Sequence, residues 1–539
     1  MQEVSEKWKS AHKQTLLNEG FVEVSLDIAD PDSLADIKEV QDNGAIYISN
    51  SSELTNGVEK SPTPYCTLEQ NLWVLDGTRK HIPESATRSE GFVSDVMSDD
   101  ACAFTDKIPT LTIDFSKEFT SIIPGVTITW SEVYNEFATD FLVRAFNGDM
   151  VVAEREVLGN RSVTSAVLLD ISGYDRIVVY VKKWCLPNRR ARVNEIFVGV
   201  KKVYTKSDLF DYSHKQSVSP LSFALPKNEI KYSVGNVNGE FNPYNNSGLS
   251  KYLKERQEVK TRYGLKLNDG TIEWIKGGTF YLSEWSAKQN GLTAEFGARD
   301  LLTFMGNIYE DKHDLSQRSL YDLAEMVLTK ANLPLNRDGS VKWRIDESLR
   351  EIYTNAPLPK DSLANCLQLI ANAGRCDLYQ DRDGILCIEK HELGQEATDY
   401  SITPVNSYSK PEVTIVTPIG EVDVMQYTYT NGDKGIESTT DLVGMGMGYN
   451  KGEGKLELDN PLITTERLAI DLGAYTLYNY AERRMTLDFS WRPDLRLDAL
   501  DVITTENDYN TQQVRITDVE YKFNGAFRAT GKGEVISNG

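Results

Sequence analysis

Six residues between positions 130 and 190 carry side chains of the kind that hold sugars: Trp130, Tyr134, Trp184, Asn188, Arg189 and Arg190. An exposed aromatic ring offers an apolar body to the apolar face of a pyranose, and Arg or Asn beside it bonds the hydroxyls. The same residues admit a second reading, in which Trp130 and Trp184 are core residues and the arginines pair with neighbouring acids. Other motifs that suggest chemistry fail at required positions. His391-Glu392-Leu393-Gly394-Gln395 has Gln where the zinc motif H-E-x-x-H needs its second histidine, and Gly394 weakens the helix that would present both groups. Gly444-Met445-Gly446-Met447-Gly448, followed by Lys451-Gly452-Glu453-Gly454-Lys455, lacks the Ser or Thr of a phosphate loop and leads into a strand instead of a helix. Asp381-Arg382-Asp383-Gly384 would need ligands at Tyr379 and Lys390 to be a calcium loop, so it is expected to be a hairpin turn. No G-x-S-x-G nucleophile elbow occurs, and no spacing singles out one pair among the 80 acids for glycoside cleavage. The six cysteines, Cys66, Cys102, Cys185, Cys366, Cys376 and Cys387, show no C-x-x-C spacing, and none of the five histidines pair at i, i+4. No catalytic residue, no metal ligand and no cofactor is therefore expected.

The elements that would position these residues are mainly strands. Asn-Gly and Asp-Gly pairs such as Asn238-Gly239, Asp269-Gly270, Asp383-Gly384 and Asn524-Gly525 recur between β-rich stretches, and both residue types tolerate the positive φ of tight antiparallel turns. Residues 1–80 open with a short helical pattern around Trp8 and continue into an alternating strand at Phe21–Leu26. A polar connector, 81–106, leads into closely spaced strands over 107–203, the cadence of a β-sandwich. Residues 204–310 return to hairpins. In 311–400 two helices stand out, one over 319–334 stopped by Pro334, the other over 361–374 with Asp361 or Ser362 as N-cap and Gly374 as C-cap. From 401 the chain is β again, apart from a helix after Pro461 that runs to about Arg484 from a Thr464 or Thr465 cap.

With 539 residues the chain is too long for one core. Its 40% hydrophobic and 10% aromatic content is ample for globular folding, and no run approaches the ~18 apolar residues of a membrane helix. The polar N-terminus MQEVSEKWKSAHKQ has no signal-peptide pattern, so synthesis in a cytoplasm is expected. A net charge of -22, from 58 basic and 80 acidic residues, opposes a nucleic-acid-gripping role. It fits either plain solubility or a conduit whose wall repels DNA.

Two stretches carry a resemblance. The run LELDNPLITTERLAIDLGAYTLYNYAERRMTLDFSWRPDLRLDALDVI, 456–503, resembles the last β-barrel domain of bacteriophage tail-hub (central baseplate hub) proteins. GGTFYLSEWSAKQNGLTAEFGARDLLTFMG, 277–306, is similar to the strand-turn-strand of the same family that ends in Ala-Arg-Asp-Leu-Leu, here Ala298 to Leu302. The segment 107–203 resembles a discoidin-like or galactose-binding jelly roll in its pattern. The resemblance implies a mainly β protein with α+β parts. A first tail-tube-like barrel would be built from 1–80 and 204–310, with the sandwich 107–203 inserted, an α+β domain at 311–400 and a second barrel at 401–539. It further implies a structural, non-enzymatic hub at the distal end of a phage tail, a homotrimer of pseudo-six-fold outline around the DNA-ejection channel. Its partners would be the distal tail or tube protein, the tape-measure protein and tail-tip or receptor-binding proteins, in the virion. With Gly539 just past the last barrel, no wall-degrading domain is expected. An alternative is a carbohydrate-binding adhesin that attaches to a host cell-surface glycan through the sandwich.

Overall fold

A computed structural model describes the chain except residues 15–17, 58–63, 82–90, 289–290, 310–314, 335, 337–339, 393–394, 433–434, 447–453, 481–483 and 539. It is mainly β with α+β parts. The strand Gly20–Ile28 illustrates the local logic: Val22, Val24, Leu26 and Ile28 turn inward and are fully buried, while Phe21 and Glu23 face outward. This strand belongs to a thirteen-stranded sheet. Along it run Val200–Tyr204, Gly20–Ile28, Glu258–Lys266, Ile272–Ala287, Thr293–Arg299, Lys227–Gly235 and Leu209–Ser217. The sheet then continues without a break into Thr511–Phe523, Phe527–Asn538, Arg484–Trp491 and Glu412–Val416, with Val502–Glu506 and Ser401–Ile402 branching off.

The join lies between Leu209–Ser217 and Thr511–Phe523, antiparallel from Tyr212 opposite Phe523 to Ser217 opposite Asp518. Strands assigned from sequence to two barrels therefore share one sheet. They also share one core, in which Val22, Tyr212, Tyr263 and Phe280 pack with Phe489, Trp491 and Tyr521. At its centre the His214 imidazole bonds Tyr263 Oη and Asn228 Oδ1, both at 2.8 Å, and Tyr212 bonds Tyr263 at 2.8 Å. The helix Glu6–His12, capped by Ser5, buries Trp8 in the same core.

The sandwich is formed by a five-stranded sheet, Ile37–Asp42, Thr110–Phe119, Tyr174–Trp184, Ala138–Asn147 and Met150–Val157, and a three-stranded one, Glu195–Phe197, Ile123–Thr129 and Thr164–Ile171. A separate core that includes Ile113, Val126, Phe141 and Ile177 fills it. Two sequence boundaries shift here. Ile37–Asp42, placed by sequence in the first barrel, pairs with Thr110–Phe119. Phe92–Met97, placed in the connector, pairs with Arg190–Val193, and its apolar Phe92 enters the sandwich core.

The helices behave largely as their caps predict. Ser319 caps Leu320–Ala331, which ends on left-handed Asn332 (φ 48°) before Pro334 is reached. Ser362, not Asp361, caps Leu363–Ala373, accepting from Asn365 N at 3.1 Å. Thr465 Oγ1 accepts from Leu468 N at 3.3 Å at the start of Glu466–Tyr480; residues 481–483 lie outside the described residues and Arg484 opens a strand. That last helix packs on a small sheet of Ile419–Gly432, Gly435–Gly446 and Gly454–Leu458. Val422, Leu458 and Leu472 share a core with Leu320, Leu363 and Leu378, so this part of 401–539 packs with the α+β unit and not with the large sheet.

The hairpin Cys376–Gln380 and Leu386–Lys390 turns at Asp381–Gly384, with Gly384 at φ 81°. From this turn Arg382 reaches into the large sheet's loop 495–498. Its Nη2 donates to the Leu495 and Leu497 carbonyls at 2.9 and 3.0 Å, its Nε to Asp498 at 2.9 Å, and its Nη1 to the Lys276 carbonyl at 2.6 Å. No helix among the described residues is long and apolar enough to cross a membrane.

Candidate functional site

The two tryptophans proposed for sugar stacking are sealed inside the sandwich. Trp130 is 0% and Trp184 1% exposed, their rings meet edge to face at 6.0 Å, and Nε1 of each is used, on Ser165 Oγ at 2.9 Å and on Glu136 Oε2 at 2.8 Å. A ring enclosed by protein presents no face to a sugar, so both are corrected to core residues. Arg189 is buried against Glu136 at 3.3 Å. Arg190 Nη1 donates to the Ser94 and Asp95 carbonyls at 2.9 and 2.6 Å. Asn188 sits at φ 54° and donates to Asp100 at 3.0 Å, a turn-forming role. The structure thus follows the second reading for Trp130, Trp184 and Arg189, while the Arg190 guanidinium is taken up by backbone carbonyls instead of an acid.

Tyr134 leads elsewhere. Its hydroxyl accepts from Tyr65 N at 3.0 Å and donates to the Tyr65 carbonyl at 3.1 Å, fastening the loop 64–81 to the sandwich. The guanidiniums of Arg192 and Arg79 lie 4.9 and 5.3 Å from its ring centroid. The loop is pinched at its base by Cys66 N to the Lys80 carbonyl at 2.7 Å and Lys80 N to the Pro64 carbonyl at 2.8 Å. Inside it, Glu69 forms a buried bidentate pair with Arg192, one bond being 2.8 Å, and also accepts from Arg190 N at 2.7 Å. Burial pushes the Glu69 carboxyl up, but the Arg192 bonds and charge, with the Thr67 hydroxyl, outweigh it and hold the group below its usual range. Burial likewise raises the Tyr134 phenol.

On this fastened base the loop presents Leu68, Trp73 and Leu75, which are 86%, 57% and 63% exposed. Leu72 between them is buried, its N–H bonded to the Glu69 carbonyl at 3.0 Å. Large apolar side chains left exposed on a loop that a buried ion pair anchors make it a candidate contact surface. Sequence reasoning passed over them, because Leu68-Glu69-Gln70-Asn71-Leu72-Trp73 has neither strand nor helix period. The available signal was three large apolar residues within a polar, turn-rich segment.

A second exposed feature is the end strand Glu412–Val416. One edge pairs with Arg484–Trp491; no strand among the described residues pairs with the other. Val413 and Ile415 are 52% and 55% exposed. Free edges of this kind are ready templates for another chain.

The remaining motifs dissolve into structure. His391 is buried with Nδ1 2.7 Å from Asp377 Oδ2, and Arg515 donates to its Nε2 at 2.9 Å, which fixes the imidazole proton on Nδ1. Leu393 and Gly394 lie outside the described residues, as do Met447–Glu453 of the glycine-rich run; Gly444–Gly446 close one strand and Gly454 opens another. No group of three His, Cys, Asp or Glu able to hold a metal is found among the described residues. All six cysteines are free thiols; burial raises those of Cys366, Cys376 and Cys387 to about 11 or beyond, which removes them from nucleophilic use near neutrality.

No protein-family model matches the chain, and no curated protein matches it. Among solved structures it is similar to the 43 kDa tail protein of prophage MuSo2 from Shewanella oneidensis, at 9% identity and a TM-score of 0.41, over 62% of this chain and 95% of that one. It is similar to prophage tail protein gp18 from Listeria monocytogenes EGD-e, at 10% identity and a TM-score of 0.38, over 61% and 91%. A chain of the virion of a native gene transfer agent particle is similar at 10% identity and a TM-score of 0.29, over 80% and 79%. Phage tail proteins and a virion component are thus the kind of protein to which this chain is similar.

Proposed function

We propose that the protein is a structural tail hub, a non-enzymatic subunit in a virion that assembles as a three-copy ring of pseudo-six-fold outline joining tail tube to tip. The observation that carries this reading is the end strand of the thirteen-stranded sheet, whose outer edge no strand among the described residues covers. Glu412–Val416 offers a full row of backbone groups with apolar Val413 and Ile415 beside it, and a soluble monomer has reason to cover such an edge. Continuation by the same chain in a closed rotational ring covers every edge at once. The tail-hub resemblance of 277–306 and 456–503 supplies the setting, with the tube protein, the tape-measure protein and tip proteins as neighbours. In that setting the acid excess keeps DNA moving through the channel without adhesion. Cryo-EM of the purified protein and of purified tails tests the assignment: a three-fold ring with a central channel is expected. A monomer in solution that is also missing from the tail tip would sink it.

A second reading, attachment to the host surface through the sandwich, is favoured by Leu68, Trp73 and Leu75 on their fastened loop. Particles carrying Trp73→Ala should then assemble normally and adsorb less to host cells; unchanged adsorption rules the reading out.

A further inference from the structure

On the outer face of the large sheet, away from both features above, three residues align across neighbouring strands: Phe21 opposite Gly264, and Gly264 opposite Trp274. Glycine at the middle position leaves a gap. A methyl group there would meet the Trp274 ring at 3.0 and 3.1 Å and Ile272 at 2.9 Å. Into that gap the rings of Phe21 and Trp274 lean at 6.3 Å between centroids and 51° between planes, the two walls of an open V. The cleft measures about 530 Å³ and is lined by Phe21, Val22, Thr205, Lys206, Ser207 and Trp274. Its rim is the exposed turn Thr205–Ser207, with the Thr205 and Ser207 hydroxyls 3.4 Å apart, Ser207 Oγ donating to Asp208 at 3.0 Å and the Lys206 ammonium on Glu19.

The charges around the cleft balance as a group, with Lys206 and Lys266 on Glu19, Arg262 on Glu23, and Asp208 beside Ser207. Lys206 Nζ lies 5.9 Å from the Phe21 centroid and is bonded to Glu19. The Arg262 guanidinium lies 5.3 Å from the Trp274 centroid and is bonded to Glu23 at 2.7 Å. A cationic ligand would be repelled by Lys206 and Arg262 beside the rings, and an anionic one would meet Glu19, Glu23 and Asp208. A membrane surface fits no better, since it needs net positive charge that these pairs remove. An uncharged ligand with one apolar face and many hydroxyls suits two tilted rings under a rim of Thr205, Lys206 and Ser207.

We infer that this cleft is a binding site for a neutral hexopyranose chain, independent of the sandwich loop and of ring assembly. Trp274 and Phe21 stack on the sugar, and Thr205, Ser207 and Lys206 bond its hydroxyls.

The test is saturation-transfer NMR on the full-length protein with maltohexaose, cellohexaose and chitohexaose as probes. Transfer to the ring protons of at least one sugar is expected. Trp274→Ala should reduce it at least tenfold. Because Trp274 also covers Gly264, the exposed rim variant Thr205→Arg, which fills the cleft without touching the sheet, should reduce it equally. Trp73→Ala should leave it unchanged. Three outcomes would overturn the inference: no transfer to any of the three sugars, transfer that survives both cleft variants, or transfer abolished by Trp73→Ala. None of these bears on whether the protein forms a ring.

Discussion

Two buried titratable groups share one neighbour and pull stability in opposite directions with pH. Burial lowers the His214 imidazole from its ordinary 6.5 to about 4. Between those values the unfolded chain binds a proton that the folded chain refuses, so stability falls as pH falls through that window. Burial raises the Asp300 carboxyl from 3.8 to about 6, against the bonds it accepts from Thr303 and Asn228. There the folded chain keeps a proton that the unfolded chain loses, so this group's stabilisation is whole below 3.8 and is lost as pH rises through about 6. Asn228 links them, its side chain on His214 and its N–H on Asp300 Oδ2 at 2.9 Å. Relative to the parent, Asp300→Asn should lose more stability on acidification from pH 6.5 to pH 4, by about 3 kcal/mol. His214→Gln should show the opposite difference of similar size; urea unfolding at stepped pH measures both. A second residue-scale expectation concerns the loop staple. Arg192→Ala strands a buried Glu69 carboxylate and should cost about 3 to 5 kcal/mol, with faster amide exchange at Leu72. Arg192→Met with Glu69→Gln should recover most of that loss. Little of this was legible in the sequence. Trp130 and Trp184 have the right chemistry for sugars, but only the partners Ser165 and Glu136 reveal that their polar edges are spent inside.

Elements read better than residues, because their signals are local. Ser362 and Thr465, each one of two caps that the sequence offers, cap their helices, and Ser319, read from sequence as the first helical residue, is the cap of Leu320–Ala331. The alternation of Phe21–Leu26 likewise names the inward face correctly. What alternation cannot reveal is the identity of the neighbouring strand. Ile37–Asp42 reads like any half-polar strand, and pairing with Thr110–Phe119 is decided by residues seventy positions away. The end strand Glu412–Val416 is the element with the sharpest prediction. Ile415→Lys puts a charge on the free edge without opening the core, so the melting transition should stay within about 0.5 kcal/mol of the parent. Sedimentation should meanwhile show ring assembly lost; a full-sized ring in this variant would mean that the edge is not the contact.

For the whole molecule, the resemblance implies two barrels, and strands from both of the segments it assigns to them lie in one sheet. The cause is a long-range pairing, Leu209–Ser217 on Thr511–Phe523, between segments some three hundred residues apart, and no periodicity can announce such a contact. At this scale charge also matters. Copies carrying -22 each repel one another, so raising salt from ~0.02 M to ~0.5 M should favour the ring over free subunits. Light scattering across that range checks the sign, and a ring that dissolves on adding salt would point to attraction between opposite charges at the contact instead. Arg382 adds one more consequence. Its guanidinium occupies the Leu495 and Leu497 carbonyls from a hairpin more than a hundred residues upstream, as a dowel seats two boards. The hairpin and the loop it enters must therefore be inherited together. A chimaera that exchanges residues 376–390 for those of another protein should fold only when the incoming turn also carries an arginine at its second position. Length changes in that turn should be tolerated nowhere, however exposed Asp383 beside it looks.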